Sequence, residues 1–250
     1  MNLTGNTIFI TGGGSGIGGA LASALHNRGN QVIIAGRRKG HLDAVTRAHP
    51  GMAAMELDLE DPASITAVAK KLVADFPKLN VVINNAGIMV VDDAAGAIDD
   101  ADLLATVTTN LLGPIRLTSA LVEHLKQQPQ ATIIHNTSVL GYVPLAQTAV
   151  YSATKAALHS YTLSQRYKLK DTGVNVLEII PPWVQTDLLG SNNEPRAMPL
   201  AAFIEETIAV LATDAQEILV EQAKPLRGNP GPNEGAFVMK FNDLMTAPLG

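Results

Sequence analysis

Near the middle of the chain stand Ser138, Tyr151 and Lys155, side chains suited to moving a proton. Tyr151 and Lys155 are four apart, which on a helix puts a phenol and an ammonium on one face, one turn from each other. A free phenol titrates near about 10. Bringing it to about 7 takes roughly 4 kcal/mol, at about 1.36 kcal/mol per unit, and one cation about 4 Å away in a semi-polar cleft interacts with it by about that much. The spacing therefore predicts a general acid/base for an alcohol–carbonyl couple, with Ser138 hydrogen-bonding the reacting oxygen. A Tyr and a Lys at this spacing are common by chance, so the reading depends on what lies upstream.

Upstream, residues 7–11 (TIFIT) read as a strand, and GGGSGIGG follows at once, then an apolar helical pattern over residues 20–28. Strand, glycine turn and helix are the context of a dinucleotide site. Gly12, Gly16 and Gly18 let the backbone turn tightly and approach a pyrophosphate. The first amides of the helix would face the phosphates with the positive end of its dipole, and Ser15 and Ile17 stand in the same glycine turn. The second strand, residues 31–36, ends at Gly36, followed by Arg37 and Arg38. NAD sites tend to place a carboxylate here for the ribose 2′-hydroxyl. With none present and an arginine fork available for a phosphate, NADP(H) is favoured and NAD(H) is the alternative; solvated surface cations are the competing reading.

Further strands are expected at residues 53–57, 81–84, 132–137 and 174–180, alternating with helices, without an internal repeat or a linker-like break. Asp58, followed by Leu59, offers an acceptor to an adenine amine or serves as a turn residue. Asn85, Ala86 and Gly87 leave room for close approach at the end of the fourth strand. Asn110 lies in a long helix, residues 102–128, interrupted at Gly113 and Pro114; proline there frees backbone carbonyls, and Asn110 is either part of a proton path or an ordinary helix-end residue. His135 reads as a packed strand residue. Asp92, Asp93, Asp99 and Asp100 read as loop and helix N-terminal charges, not metal ligands.

The 250 residues, 46% hydrophobic and 16% charged, fit one α/β domain with a sheet buried on both faces. Alternation predicts a Rossmann-like doubly wound parallel sheet, order 3-2-1-4-5-6, with no evident seventh strand. A net charge of −5 gives no reason to expect nucleic-acid binding, and the absence of cysteine excludes disulfides and thiolate metal sites. No signal peptide or membrane span is evident, so a cytoplasmic location is the default expectation.

These motifs, in this order, resemble the short-chain dehydrogenase/reductase family over residues 1–188. Residues 11–18 (TGGGSGIG) are similar to its T-G-x-x-x-G-x-G, Asp58 to its adenine-contacting Asp, and residues 84–87 to its N-N-A-G. Asn110, Ser138, Tyr151 and Lys155 match its catalytic tetrad, and Pro181, Val184 and Thr186 its nicotinamide-contacting segment. More loosely, the chain resembles the branch associated with D-alanine esterification of teichoic acids. The resemblance implies hydride transfer between C4 of nicotinamide and a carbonyl or alcohol carbon of a small molecule. Tyr151 would be the acid/base. Lys155 would lower its pKa and hold the nicotinamide ribose, Ser138 would orient the substrate oxygen, and Asn110 would keep a relay water. A homodimer or homotetramer is expected.

Two departures stand out. Pro182 replaces the family's glycine after Pro181, removing an amide donor. Trp183 beside it either lines the substrate pocket or plugs the core. The expected substrate loop spans residues 181–200. A helix over 200–222 would precede an irregular tail, about 223–250, whose Phe237, Val238, Met239, Phe241 and Met245 are too apolar to lie free in water. A non-catalytic dinucleotide-sensing regulator on the same fold is the alternative, but it would not need the intact Ser/Tyr/Lys set. A sugar-nucleotide epimerase would need a larger C-terminal domain.

Overall fold

In the computed structural model, which describes residues 1–246, the expected runs form β1 (Thr7–Thr11), β2 (Gln31–Gly36), β3 (Ala53–Glu56), β4 (Leu79–Asn84), β5 (Ala131–Asn136) and β6 (Val174–Ile179). Between them run α1 (Gly16–His26), α2 (Lys39–Ala48), α3 (Pro62–Asp75), α4 (Asp100–Val107), α5 (Gly113–Lys126) and α6 (Ala149–Leu169). Then come α7 (Leu200–Leu211), β7 (Glu217–Ile218), α8 (Lys224–Arg227) and α9 (Glu234–Thr246). All neighbouring strands pair in parallel, in the order β3-β2-β1-β4-β5-β6-β7. Strand order reverses between β1 and β4, and ligands of such sheets bind at the carboxyl ends beside that reversal.

Both faces of the sheet are covered, as the continuous apolar strands require. Alternation sends Ile8 and Ile10 of β1 toward Leu21 and Leu25 of α1 and Phe203 of α7. Phe9, between them, points the other way, toward Leu72 of α3 and Leu121 of α5. No helix among the described residues is long and apolar enough to cross a membrane.

Four C-terminal and helical expectations are corrected. The helix foreseen over 200–222 ends at Leu211. Thr213 then turns the chain, its hydroxyl donating to the Val210 carbonyl and accepting the Ala215 amide, and β7 joins β6. The seventh strand therefore exists, but two residues leave no periodic signature. The tail is not irregular: α8 and α9 fold there, and the half-buried Phe237, Phe241 and Met245 are spaced four apart along one side of α9. Met239, on the other side, is 71% exposed. The long helix breaks one turn before Pro114, as a π-helical turn over Thr108–Leu112 in which the Gly113 amide reaches the Thr108 carbonyl. Pro114 has no N–H to offer the Asn110 carbonyl at the α-helical spacing.

Phe9 is fully buried between β1, α3 and α5. Truncation to Ala is expected to cost about 3–5 kcal/mol, read as a lowered urea midpoint at unchanged slope; a midpoint within error of the parent would contradict this packing.

Candidate active site

At the end of β1 the chain turns through Gly12 (φ 68°) and Gly16 (φ 52°), a conformation that favours glycine. The amides of Gly12 and Gly13 both donate to the Ala35 carbonyl, at 2.7 and 3.2 Å, hanging the turn on β2. A Cβ on Gly12 would lie 2.9 Å from the Ala86 Cα, and one on Gly18 only 2.4 Å from the Gly12 carbonyl oxygen. Bare backbone is thus what lets α1 approach the end of β4. Ser15 precedes α1 without making a side-chain cap. The first amides of α1 and its dipole together suit a pyrophosphate, so the turn fits the phosphates of a dinucleotide.

The adenosine side separates the two arginines. Arg37 bonds Glu60 (2.7 Å), whereas Arg38 reaches the glycine turn through Ser15 Oγ (3.1 Å). Asp58 accepts the Glu60 amide at 2.9 Å and its own amide donates to Ser64, the work of a turn residue. Leu59 is buried and would be 2.8 Å from a Cβ on Gly113, so α5 packs bare against it.

On the other side of the reversal, Thr11 Oγ1 accepts the amides of Asn85 and Ala86. The Asn85 side chain donates to the Thr11 carbonyl (3.0 Å) and accepts from Asn136 (2.8 Å). A Cβ on Gly87 would sit 3.2 Å from Asn110 Oδ1 and 3.6 Å from Lys155 Nζ, so these three residues converge. Asn110, fully buried, pairs both side-chain ends with Ile88, accepting its amide and donating to its carbonyl, each at 2.8 Å; it also donates to Thr154 (3.3 Å). Its side chain ties the π-helical turn to the loop after β4.

Tyr151 and Lys155 lie on α6, whose first amides, Ala149 and Val150, donate to Asp92. Asp92, expected as a loop or helix charge, thus fixes the helix start two residues before Tyr151; the 57-residue separation hides this in the sequence. Lys155, 3% exposed, donates from Nζ to the Asn136 carbonyl at 2.8 Å. Burial holds its pKa down at about 8. Burial also pushes the Tyr151 phenol up to about 12, against the lowering effect of a hydrogen bond with Ser138. The expectation of a phenol brought to about 7 by its lysine is therefore corrected for this state of the protein. Desolvation dominates, and the ammonium bonds a strand carbonyl, lying 5.4 Å from the phenol ring centre. Ser138 also accepts the Leu140 amide, closing the turn that follows β5.

The segment after β6 closes over the same edge. The Pro181 carbonyl accepts the Val139 amide. Buried Val184 bridges Met198, and the Thr186 side chain would be 3.6 Å from a Cβ on Gly16. Trp183 is half-buried, donates to Ser191 (2.8 Å) and lies under Arg196, so it organises this loop and does not plug the core. His135 is buried between Asn84 and Gln165, and burial pushes its pKa down to about 4, as befits a neutral core residue.

Lys155 generates a pH test. Its folded pKa of about 8 lies below the ordinary 10.5, so between these values the unfolded chain holds the extra proton and stability from this group rises with pH. Relative to Lys155→Met, the parent should gain melting temperature between pH 8 and 10; parallel melting curves over that window would refute a buried, depressed ammonium.

The short chain dehydrogenase family matches residues 6–197. The oxidoreductase DltE of Bacillus subtilis (strain 168), described as uncharacterized, is 36% identical over 236 residues, 91% of this chain and 92% of its own. A short chain dehydrogenase from Burkholderia cenocepacia J2315, solved with NADP, superposes with a TM-score of 0.83 at 24% identity, covering 99% and 100% of the two chains. A 3-ketoacyl-(acyl-carrier-protein) reductase from Brucella melitensis, solved with NADH, gives 0.78 at 25% identity over 85% and 93%. Sequence and fold agree that this chain belongs to the short-chain dehydrogenase/reductase family, with DltE-type oxidoreductases among its relatives.

Proposed function

We propose that the protein is an NADP(H)-dependent oxidoreductase acting on a carbonyl or secondary alcohol of a small molecule, with Tyr151 as acid/base. The observation that carries this reading is the meeting of Ser138, Tyr151 and Lys155 with Gly87 and Asn110 at the carboxyl edge of the sheet, across from the glycine turn. A nicotinamide held along that edge would supply the hydride acceptor, or in its reduced form the donor. In the oxidative direction the substrate alcohol would give up its C–H electron pair as hydride and its O–H proton to Tyr151 as phenolate, while Ser138 would hydrogen-bond the reacting oxygen. Reduction of a carbonyl is the reverse. Lys155, when protonated, favours the phenolate electrostatically, and the Asn136 carbonyl keeps that ammonium aimed at the cleft.

Gly12, Ser15, Gly16, Ile17 and Gly18 would hold the pyrophosphate, and Asp58, Leu59, Asn85, Ala86 and Gly87 the adenosine and its neighbours. Pro181, Val184 and Thr186 would border the nicotinamide. Preference for NADP(H) is supported by the lack of a carboxylate at the end of β2 and by Arg38, already seated on Ser15. Arg37, engaged by Glu60, is the weaker contributor. We read residues 1–250 as one dinucleotide-binding and catalytic domain that assembles as a homodimer or homotetramer.

Tyr151→Phe should keep NADPH affinity and lose roughly a hundredfold or more in kcat, followed as NADPH consumed in a screen of aldehydes and ketones; turnover near the parent's rejects the acid/base role. Arg38→Ala should weaken NADPH roughly tenfold or more while leaving NADH unchanged, with Arg37→Ala weaker in effect. Equal losses for both cofactors in fluorescence titration would dismiss the phosphate assignment.

A further inference from the structure

A second polar cluster lies behind Ser138, on the side away from the glycine turn. Its centre is Glu178 of β6, a fully buried carboxylate. It accepts from Thr137 Oγ1 at 2.7 Å, from the Tyr142 hydroxyl at 3.1 Å and from His159 Nδ1 at 2.9 Å. Tyr142 and His159 also touch each other, at 2.8 Å. Burial alone would raise the Glu178 carboxyl, but the bonds from His159, Thr137 and Tyr142 hold it below the usual carboxylate range.

The partners are not scattered. Thr137 immediately precedes Ser138, and Tyr142 ends the short 3-10 turn, Val139–Gly141, that Ser138 caps. His159 follows Tyr151 and Lys155 at the same four-residue interval on α6, so all three share one face. Between the two elements, a Cβ on Gly141 would lie 3.0 Å from the Lys155 carbonyl carbon, so the Ser138 turn rests directly on the helix backbone. One carboxylate thus holds both ends of the serine turn and the helix that carries the phenol.

A metal reading does not fit the same atoms. His159, Glu178 and Glu217 bring ligand atoms within 4.8 Å of one another. Glu217 is committed to Arg227 through two bonds of 2.9 and 2.8 Å, and Arg227 lies over the Tyr142 ring at 4.4 Å. The cluster is an ion-pair and hydrogen-bond network whose donors and acceptors are already matched.

We propose that Glu178 is a positioning residue of the catalytic centre: through Thr137 and Tyr142 it fixes the Ser138 hydroxyl against the Tyr151 phenol. This rests on the reading of Ser138 as the group that holds the substrate oxygen. Glu178 touches neither substrate nor cofactor, so its effect runs entirely through the serine turn. Glu178→Gln keeps the size of the side chain and puts an amide donor where three donors converge.

The test is a double-mutant cycle with NADPH and para-nitrobenzaldehyde as probes. Glu178→Gln should lower kcat about tenfold, with KM and the NADPH dissociation constant within about twofold, and should add nothing to Ser138→Ala. An equal loss in both backgrounds overturns the proposal, because a purely structural role would act independently of Ser138. Hydrogen exchange at the Leu140 amide, which donates to Ser138 Oγ, reads the same turn without any turnover. It should quicken in Glu178→Gln while the amides of the glycine turn stay as they were; unchanged exchange overturns the proposal. If the parent reduces no carbonyl probe, the dehydrogenase reading fails, and exchange at Leu140 still decides the role of Glu178 in the turn. Should Glu178→Gln not fold, Thr137→Val removes a single bond of the network and is carried through both measurements.

Discussion

The hydrogen bond from Lys155 to the Asn136 carbonyl joins α6 to the sheet. An ammonium inside a protein loses its water shell, and a carbonyl dipole is a modest replacement. The depressed pKa of Lys155 records that imbalance. The bond is available because β5 ends at Asn136, where the chain leaves the ladder for the Ser138 turn. Among the described residues, the lysine ammonium has no other hydrogen-bond acceptor. The position of α6 over the sheet edge, the start of that helix at Asp92 and the packing of Gly141 on its backbone all serve to bring Nζ to that carbonyl.

Much of this architecture could be read from residue types. Alternating apolar runs predicted six strands because each is long enough to show its pattern, and the glycine turn announced itself between strand and helix. Tyr151 and Lys155 were legible as a pair through their helical spacing. What stayed hidden has a common cause: it depends on backbone atoms or on partners far along the chain. The acceptor of Lys155 is a main-chain oxygen that no side chain marks. Asp92 reaches the start of α6 from 57 residues away. Arg37 and Arg38 are adjacent cations in the sequence, and only Glu60 and Ser15, brought near by folding, tell them apart. Coulomb attraction between phenol and ammonium is only part of the balance, since burial opposes charge on both partners.

The C-terminal fifth lies beyond the family match. The family match ends at residue 197, and beyond it lie the two-residue β7, the ion pair of Glu217 with Arg227, and α9. That last helix is not detached from the site: Asn242 accepts the Ala146 amide at 2.5 Å and donates to the Pro144 carbonyl. Both belong to the connection between the Ser138 turn and α6. Sequence outside the family match therefore borders the connection between the Ser138 turn and α6.

Asn85 uses its amide in both senses, giving a hydrogen to Thr11 and taking one from Asn136, whose own backbone oxygen faces Lys155. Thr11 of β1, Asn85 just past β4, Asn136 of β5 and Lys155 of α6 thus form an oriented string with a fixed polarity. A carboxylate of the same shape could receive but not give, and a hydrocarbon could do neither. The genetic choice at position 85 is accordingly narrower than its modest size and partial exposure suggest: only a group with one donor end and one acceptor end keeps the ends of β1 and β5 joined across it.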